Sequence, residues 1–315
     1  MNNHSTERNG STNNPIHSPN FALALMLAIN VVGVLGNVLL IVAHVKDPLR
    51  VLKSPSSHFI LSIASADALL SGVFMVTTAF TLASINTYWD WDTSYHSSIF
   101  LLLLLTSLLY SALFASYLSL AAERFLSVAY PLWHRVRVTT KVCRYWVIGL
   151  WLGLGGFRLI DFALTRIKET LTTIQSQLTL IVFMCILLML TLSVYIASYI
   201  SIRRQRMELQ NRTSMSEVTI RTAQIRLENE KNFLVTIAIV CLALAATVLP
   251  FLIISFVSLV EVTNRLKGDD SKIVVPSYAH WGLLLIGLNS AANVFVYLWR
   301  LPKYRKTFKK LYCDC

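Results

Sequence analysis

The chain has 315 residues, of which 55% are hydrophobic and only 14% are charged, with a mean hydropathy of +0.58 and a formal net charge of +12. A soluble globular chain carries about 25% charged residues, so this composition excludes a soluble enzyme, a disordered chain and a DNA-binding domain. A membrane protein with basic cytosolic loops has the same positive charge, so the charge does not indicate a nucleic-acid partner.

Long uncharged stretches predict an all-α fold, a seven-transmembrane helix bundle over residues 21–299. A helix of about 18 or more apolar residues is long enough to cross a bilayer. In chain order, we predict an extracellular tail at 1–20, then spans at about 21–45, 55–83, 95–129, 142–165, 172–202, 230–260 and 273–299, and finally a cytosolic amphipathic helix and tail at 300–315. The fourth span contains Arg158 and Asp161, which should therefore face protein rather than lipid.

The positions of lysine and arginine predict an extracellular N-terminus and a cytosolic C-terminus. Of the 28 basic residues, 21 lie in the segments that this orientation places in the cytosol, as cytosolic loops of membrane proteins require. The first 20 residues lack the pattern of a cleaved signal peptide, so we expect the first span to be its own signal. Asn3 and Asn9 begin glycosylation sequons in this predicted outer tail.

Short motifs then follow one another along the spans, each at a defined depth. They are Gly36-Asn37-Val38, the run from Leu61 to Asp67, Glu123-Arg124-Phe125, Ala129-Tyr130-Pro131-Leu132, Trp151, Tyr195, Pro250, Asn289-Ser290 and Asn293-x-x-x-Tyr297. In this order and on these spans, they resemble the rhodopsin-like (class A) G-protein-coupled receptors. The resemblance covers residues 21–315.

The sequence departs from that family's usual pattern at several positions. Val248 stands where a tryptophan is usual, Val294 replaces the proline of the span-seven motif, and Leu187 occupies the place of a proline in span five. All five cysteines lie in spans or on the predicted cytosolic side, so no outer-loop disulfide is expected. These departures occur together in the melanocortin, lysophospholipid, cannabinoid and adenosine receptor branch, and the C-terminal sequence also resembles melanocortin receptors.

The resemblance implies a plasma-membrane receptor that binds an extracellular ligand and activates heterotrimeric G proteins by outward movement of span six. The resemblance further implies arrestin, a receptor kinase and membrane lipid as partners, and an allosteric sodium ion in place of any cofactor. No enzyme motif is found. Two alternatives remain: a signalling-poor or decoy receptor, because of Val248 and Val294, and a channel or transporter with a charged path.

Asp67 lies at bilayer depth, where an unpaired charge is costly, so it should face the bundle and have partners. The polar residues predicted at the same depth are Asn37, Asn289, Ser290 and Asn293. The resemblance implies a sodium ion held at Asp67 in this cluster, although Leu113 stands where a serine ligand is usual. A static hydrogen-bond network between helices is the alternative.

Arg124, at the cytosolic end of span three, keeps its charge and needs a partner or water. Glu123 is its neighbour, and Glu230 lies about 30 Å before Pro250 along the sixth helix, level with Arg124. We therefore interpret these residues as a switch that opens when the pair breaks, and a snorkelling arginine is the alternative. The remaining residues of the expected switch are Tyr195, Pro250 and Tyr297.

The sequence excludes two ligand classes, amines and retinal, and so narrows the choice of ligand without identifying it. Thr106 takes the place of the acid expected in an amine receptor, and span seven lacks the lysine of a retinal protein. The candidates for the pocket lining are Thr106, Tyr110, Phe251, Ser255, His280 and Leu283. Arg158 and Asp161 either pair with each other or bind a charged group of the ligand.

The cytosolic side has two further candidate features. Pro131-Leu132 either presents an apolar contact to a G protein or simply stops a helix. The basic amphipathic segment after span seven should lie on the anionic inner leaflet. Cys313 and Cys315, just beyond it, are candidates for palmitoylation.

Overall fold

A computed structural model describes residues 19–84, 93–167, 169–210, 217–267 and 279–313. In these residues every regular element is an α-helix. In chain order the helices are α1 (Pro19–Lys46), α2 (Pro55–Ser84), α3 (Thr93–Ala129), α4 (Pro131–Arg137), α5 (Thr140–Ile167), α6 (Glu169–Gln210), α7 (Glu217–Lys267), α8 (Ala279–Arg300) and α9 (Pro302–Tyr312). The predicted all-α bundle with a short C-terminal amphipathic helix is confirmed.

Five of the described helices are long and apolar enough to cross a membrane. Their candidate spans are Phe21–Lys46, Pro55–Phe80, Leu104–Ala129, Leu178–Leu209 and Arg221–Val257. The other two predicted spans, at 142–165 and 273–299, overlap α5 and α8, and residues 273–278 lie outside the described residues. The first of these two helices carries the buried Arg158, which lowers its hydropathy.

The third helix lies at the centre of the bundle. It contacts α2, α4, α5, α6 and α7, while α8 packs against α1 and α7. Its large side chains Phe114, Tyr117 and Leu120 are buried in the core. Apolar side chains also cover the outside, as a lipid-facing surface requires: Leu152 and Ile253 are 72% and 64% exposed.

A short helix, α4, follows the end of α3 after a break at Tyr130. Pro131 occupies the first turn of α4, a favourable place for proline because its missing N–H has no partner there in any helix. The helix α3 ends at Ala129, before Pro131, as a helix stop would require, and Pro131 itself begins α4. Leu132 is 83% exposed.

The last helix, α9, is amphipathic and packs on α1 and α8. Tyr304 and Thr307 are its buried residues, whereas the basic residues Lys306, Lys309 and Lys310 are directed away from the bundle. Near its end, the Tyr312 hydroxyl donates to the Leu39 carbonyl oxygen at 2.9 Å. This contact holds the end of α9 along α1.

Candidate functional site

The buried carboxyl group of Asp67 lies at the meeting point of α2, α3 and α8. Asp67 is 1% exposed, and its Oδ2 accepts a hydrogen bond from Asn293 Nδ2 at 2.8 Å. The same Asn293 nitrogen donates to the Tyr117 hydroxyl oxygen at 2.7 Å. A buried polar group of this kind is stable because it has partners, and here they couple three helices.

A second set of hydrogen bonds joins α1 to the same cluster. Asn37 Nδ2 donates to the Ser290 carbonyl oxygen at 3.1 Å, and the Ser290 and Ser71 hydroxyls lie 2.9 Å apart. Gly33 permits this approach, because a Cβ atom there would lie 2.5 Å from Ser71 Oγ. The structure thus brings four of the five predicted cluster residues, Asn37, Asp67, Ser290 and Asn293, into one network.

Two members of this network were missed by sequence reasoning. Ser71 follows Asp67 by one helical turn, so spacing along α2 could have identified it. Tyr117 reaches the cluster from α3, and nothing in its local sequence marks it. The structure therefore places the Ser71 hydroxyl, from α2, against the Ser290 hydroxyl in the lining of the cavity at Asp67.

A small cavity adjoins Asp67. It is lined by Asp67, Ser71, Tyr110, Leu113, Val248, Asn289 and Ser290, among others, and its volume of about 10 Å³ is about what one water molecule needs. Within the described residues, Asn289 Oδ1 and the Tyr110 hydroxyl are buried without a hydrogen-bond partner. Carboxylate, hydroxyl and carbonyl oxygens are the ligands that hard cations prefer, so the lining fits a small cation or a water molecule.

The Arg124 guanidinium lies between two acids at the far end of α3. Its Nε and Nη2 donate to the Glu123 carboxylate at 2.6 and 2.5 Å, and its Nη1 donates to Glu230 Oε2 at 3.3 Å. Glu123 is 3% exposed and Glu230 23% exposed. Arg124 also donates to the Ser56 hydroxyl on α2. Glu123 is therefore the tighter partner, and Glu230 supplies the link to α7.

Two of the three other expected switch residues lie in the core. Tyr195 on α6 and Tyr297 on α8 are 5% and 0% exposed and belong to one buried cluster. Pro250 lies inside α7. Sequence reasoning missed His134 on α4, whose Nε2 lies 2.8 Å from Glu123 Oε1. This contact docks α4 against the end of α3.

The candidate pocket residues form two groups: aromatic and polar side chains on α3 and α7, and a charged pair on α5. Tyr110 is 3% exposed and its ring stacks on that of Phe251 at 6.1 Å between centroids, while Thr106 donates to its own helix at the Leu102 carbonyl, 2.6 Å away. Arg158 Nη1 lies 3.4 Å from Asp161 Oδ2. Arg158 also donates to Ser111 Oγ at 3.2 Å, so its guanidinium is satisfied within the protein.

Ser255 is half-buried on α7, and Cys313 is exposed at the end of α9 as a free thiol. The remaining predicted residues lie outside the described residues. These are Asn3, Asn9 and Cys315, together with the side chains of His280 and Leu283.

Comparison with known proteins agrees with this arrangement. The family described as "7 transmembrane receptor (rhodopsin family)" matches residues 36–297. The chain is 27% identical to the bovine adenosine receptor A2b over 92% of its own length and 88% of the relative's. It is 24% identical to the human adenosine receptor A2a over 94% and 73% of the two chains, and 25% identical to the rat melanocortin receptor 3 over 92% and 85%.

The chain therefore belongs to the rhodopsin family of seven-transmembrane receptors. Its relatives include adenosine and melanocortin receptors, as the missing disulfide and the missing span-five proline predicted. It is a multi-pass receptor of the plasma membrane that couples to G proteins, and it is not an enzyme.

Proposed function

We propose that this receptor binds an extracellular ligand and activates a heterotrimeric G protein when α7, its sixth span, swings outward at the cytosolic end. The observation that carries the proposal is the contact between Arg124 Nη1 on α3 and Glu230 Oε2 on α7, at 3.3 Å. A contact that one arrangement of two helices makes and the other loses is the kind of element that a ligand can bias.

The surroundings of Arg124 support this role. Its side chain is 12% exposed, so losing Glu230 leaves a poorly hydrated charge that retains Glu123 as its partner. Opening of α7 would turn this guanidinium toward the cytosol. Leu132 on α4 is 83% exposed and provides an apolar contact for the G protein on the same cytosolic side.

The cavity at Asp67 provides a second point of control in this proposal. A sodium ion there would be held by oxygens of Asp67, Ser71, Ser290 and Asn289. These residues lie on α2 and α8, so the ion would favour the arrangement in which the two helices are close. The orphaned Asn289 oxygen supports this assignment.

The proposed orientation places the N-terminus outside the cell and the C-terminus in the cytosol. The predominance of lysine and arginine in the segments near α4, the α6–α7 connection and α9 supports it. In this orientation α9 lies on anionic inner-leaflet lipid, Cys313 and Cys315 are available for palmitoylation, and Asn3 and Asn9 for glycosylation. Arrestin and a receptor kinase would bind the same cytosolic face.

The experiment is a comparison of two substitutions that should change signalling in opposite directions. Glu230→Ala removes a contact of the closed arrangement, so we expect higher ligand-independent signalling, by about two- to fivefold as for a partly exposed ion pair. Arg124→Ala removes a residue needed after opening, so signalling should be abolished. G-protein activation in membranes, at matched surface expression, measures both.

The control is Glu228→Ala. Glu228 lies on the same helix, is 49% exposed, and pairs with Arg206 and Lys231 rather than with Arg124. It should leave basal signalling unchanged. Unchanged or lower basal activity in Glu230→Ala would show that Glu230 is a solvated helix-end charge.

A receptor that binds ligand and recruits arrestin with no G-protein output in any variant would instead be a signalling-poor receptor, as Val248 and Val294 led us to consider.

A ligand panel completes the experiment. Adenosine and melanocortin peptides are the first compounds to test, because receptors named for them are similar to this chain over most of its length. Tyr110→Ala should reduce the response to whichever compound acts, because Tyr110 and Phe251 form the aromatic contact between α3 and α7 in the candidate pocket.

A further inference from the structure

A phenylalanine on α7 lies beside the switch and contacts two cations from different helices. Phe233 follows Glu230 by three residues, so both lie on one face of α7. The Arg124 Cζ atom is 4.7 Å from the centroid of the Phe233 ring, and the Lys303 Nζ atom is 5.8 Å from the same centroid. The ring thus joins α7 to α3 on one hand and to α9 on the other.

Lys303 is held firmly in this position. Its Nζ donates to Ser54 Oγ at 3.0 Å and to Ser57 Oγ at 3.2 Å, at the start of α2. Within the described residues it has no carboxylate within ion-pair distance. Burial and the nearby Arg124 guanidinium lower the pKa of Lys303 to about 8. Two cations therefore share a confined space at the cytosolic end of the bundle.

An aromatic ring is well suited to such a space. The face of a phenylalanine ring carries negative charge density, so it attracts a guanidinium or an ammonium group without adding a further acid. An aliphatic side chain of similar volume fills the space but has no such attraction. By contrast, Glu230 binds Arg124 through one bond of 3.3 Å and is partly hydrated, and such a pair contributes little by itself.

We propose that Phe233 is a positioning residue of the switch, which holds Arg124 in its closed position and ties α7 to Lys303 on α9. The inference rests on the proposed function, because it assumes that α7 moves relative to α3 and α9. It adds a second contact that must break on opening. Opening of α7 is then coupled directly to α9.

The test measures the position of α7 without a G protein. Spin labels are attached at Arg221→Cys on α7 and Lys141→Cys on α5, both exposed positions, in a Cys313→Ser, Cys315→Ser background. Double electron–electron resonance spectroscopy in lipid nanodiscs then measures the distance between the two labels. We compare Phe233→Leu, which loses the ring, with Phe233→Tyr, which keeps it. Phe256→Leu, at a 50% exposed phenylalanine on the same helix, is the matched control.

We expect Phe233→Leu to raise the ratio of open to closed receptors about two- to thirtyfold, the range of a cation–π contact. Phe233→Tyr should stay within about twofold of the unsubstituted receptor, and Phe256→Leu should not differ from it. In a Lys303→Gln background the effect of Phe233→Leu should shrink, because one of the two cations is gone. Monodisperse elution of each variant confirms that it is folded, and Phe233→Trp replaces Phe233→Tyr if the latter fails this criterion.

Equal shifts in Phe233→Leu and Phe233→Tyr, or no shift in Phe233→Leu, would overturn the proposal. An undiminished shift in the Lys303→Gln background would overturn the link to α9. Failure of the proposed function gives a different pattern: Phe233→Leu opens α7, yet no variant activates a G protein. If Glu230→Ala raises signalling while Phe233→Leu leaves α7 closed, the inference about Phe233 alone is wrong.

Discussion

Single side chains in this receptor act through the partners that other helices bring to them. Asp67 is the clearest case, because its carboxyl group is 1% exposed and depends on Asn293 and the neighbouring hydroxyls for stability. Arg124 is the second, with two acids and a serine around one guanidinium. In both places a charge within the bundle is tolerated only because its hydrogen-bonding groups are satisfied.

The first residue-scale prediction concerns Asp67→Asn. The substitution removes the negative charge beside the cavity but keeps a side chain of similar size, so we expect surface expression to remain and any effect of sodium on agonist affinity to disappear. Competition binding in sodium and in potassium chloride measures it. If the unsubstituted receptor shows no difference between the two salts, the sodium site is wrong and the hydrogen-bond network remains as the role of Asp67.

The second concerns the close approach of α1 and α2. Gly33→Ala would place a methyl group 2.5 Å from Ser71 Oγ, so either the serine rotamer or the helix must shift, at about 1–3 kcal/mol. We expect a lower melting temperature in detergent. Gly153→Ala is the matched control, because a Cβ atom there meets nothing within 4 Å. Equal melting temperatures for the two variants would contradict a tight α1–α2 contact.

At the scale of elements, the two short helices α4 and α9 are held to the bundle in different ways. The seven residues of α4 bury no side chain, so His134 and its 2.8 Å contact with Glu123 account for much of its placement. The last helix, α9, is held differently, through buried Tyr304 and Thr307. A helix of two turns is not stable by itself in water, so α4 should depend on its contact.

We therefore expect His134→Ala to loosen α4. Backbone amides in residues 131–137 should exchange with deuterium faster, while those of α3 should exchange as before. Hydrogen-exchange mass spectrometry of the purified receptor measures this, with Arg135→Ala as the control. Arg135 is exposed on the same helix and makes no hydrogen bond or ion pair in the part of the chain that the structure describes. Equal exchange in both variants would show that α4 is held by packing rather than by His134.

At the scale of the whole molecule, the bundle is held by helix packing without a disulfide among the described cysteines. Cys143, Cys185, Cys241 and Cys313 are free thiols, and the first three lie within helices. The central α3 contacts five other helices, and hydrogen bonds at Asp67 join α1, α2, α3 and α8. These contacts supply the cohesion that an outer-loop disulfide would otherwise add.

Mild external dithiothreitol should therefore leave the melting temperature and ligand binding of the receptor unchanged. Thermal unfolding with and without the reductant, in intact membranes, is the measurement. A large loss of affinity on reduction would require a cysteine on the outer side, and would contradict the proposed orientation of the chain.

The sequence by itself was sufficient to predict the order of the long helices and the amphipathic helix after them, but not the short helix α4. Each predicted span depends on a local property, a stretch too apolar for water, and the charges that interrupt these stretches mark their ends. The family and its branch were predicted in the same way, from motifs such as Glu123-Arg124-Phe125 and from missing residues. The pairing of Arg124 with Glu230 could be anticipated because both positions are measured along helices of known pitch.

Only the tertiary structure determined which side chains meet across helices. The spans are apolar on nearly all sides, so their sequences contain little information about which face each helix turns toward its neighbours. Ser71, Tyr117 and His134 join the two sites from α2, α3 and α4, and Phe233 on α7 contacts cations from α3 and α9. Their contacts depend on the rotation and separation of helices, which are set by packing of the entire bundle and not by any local pattern.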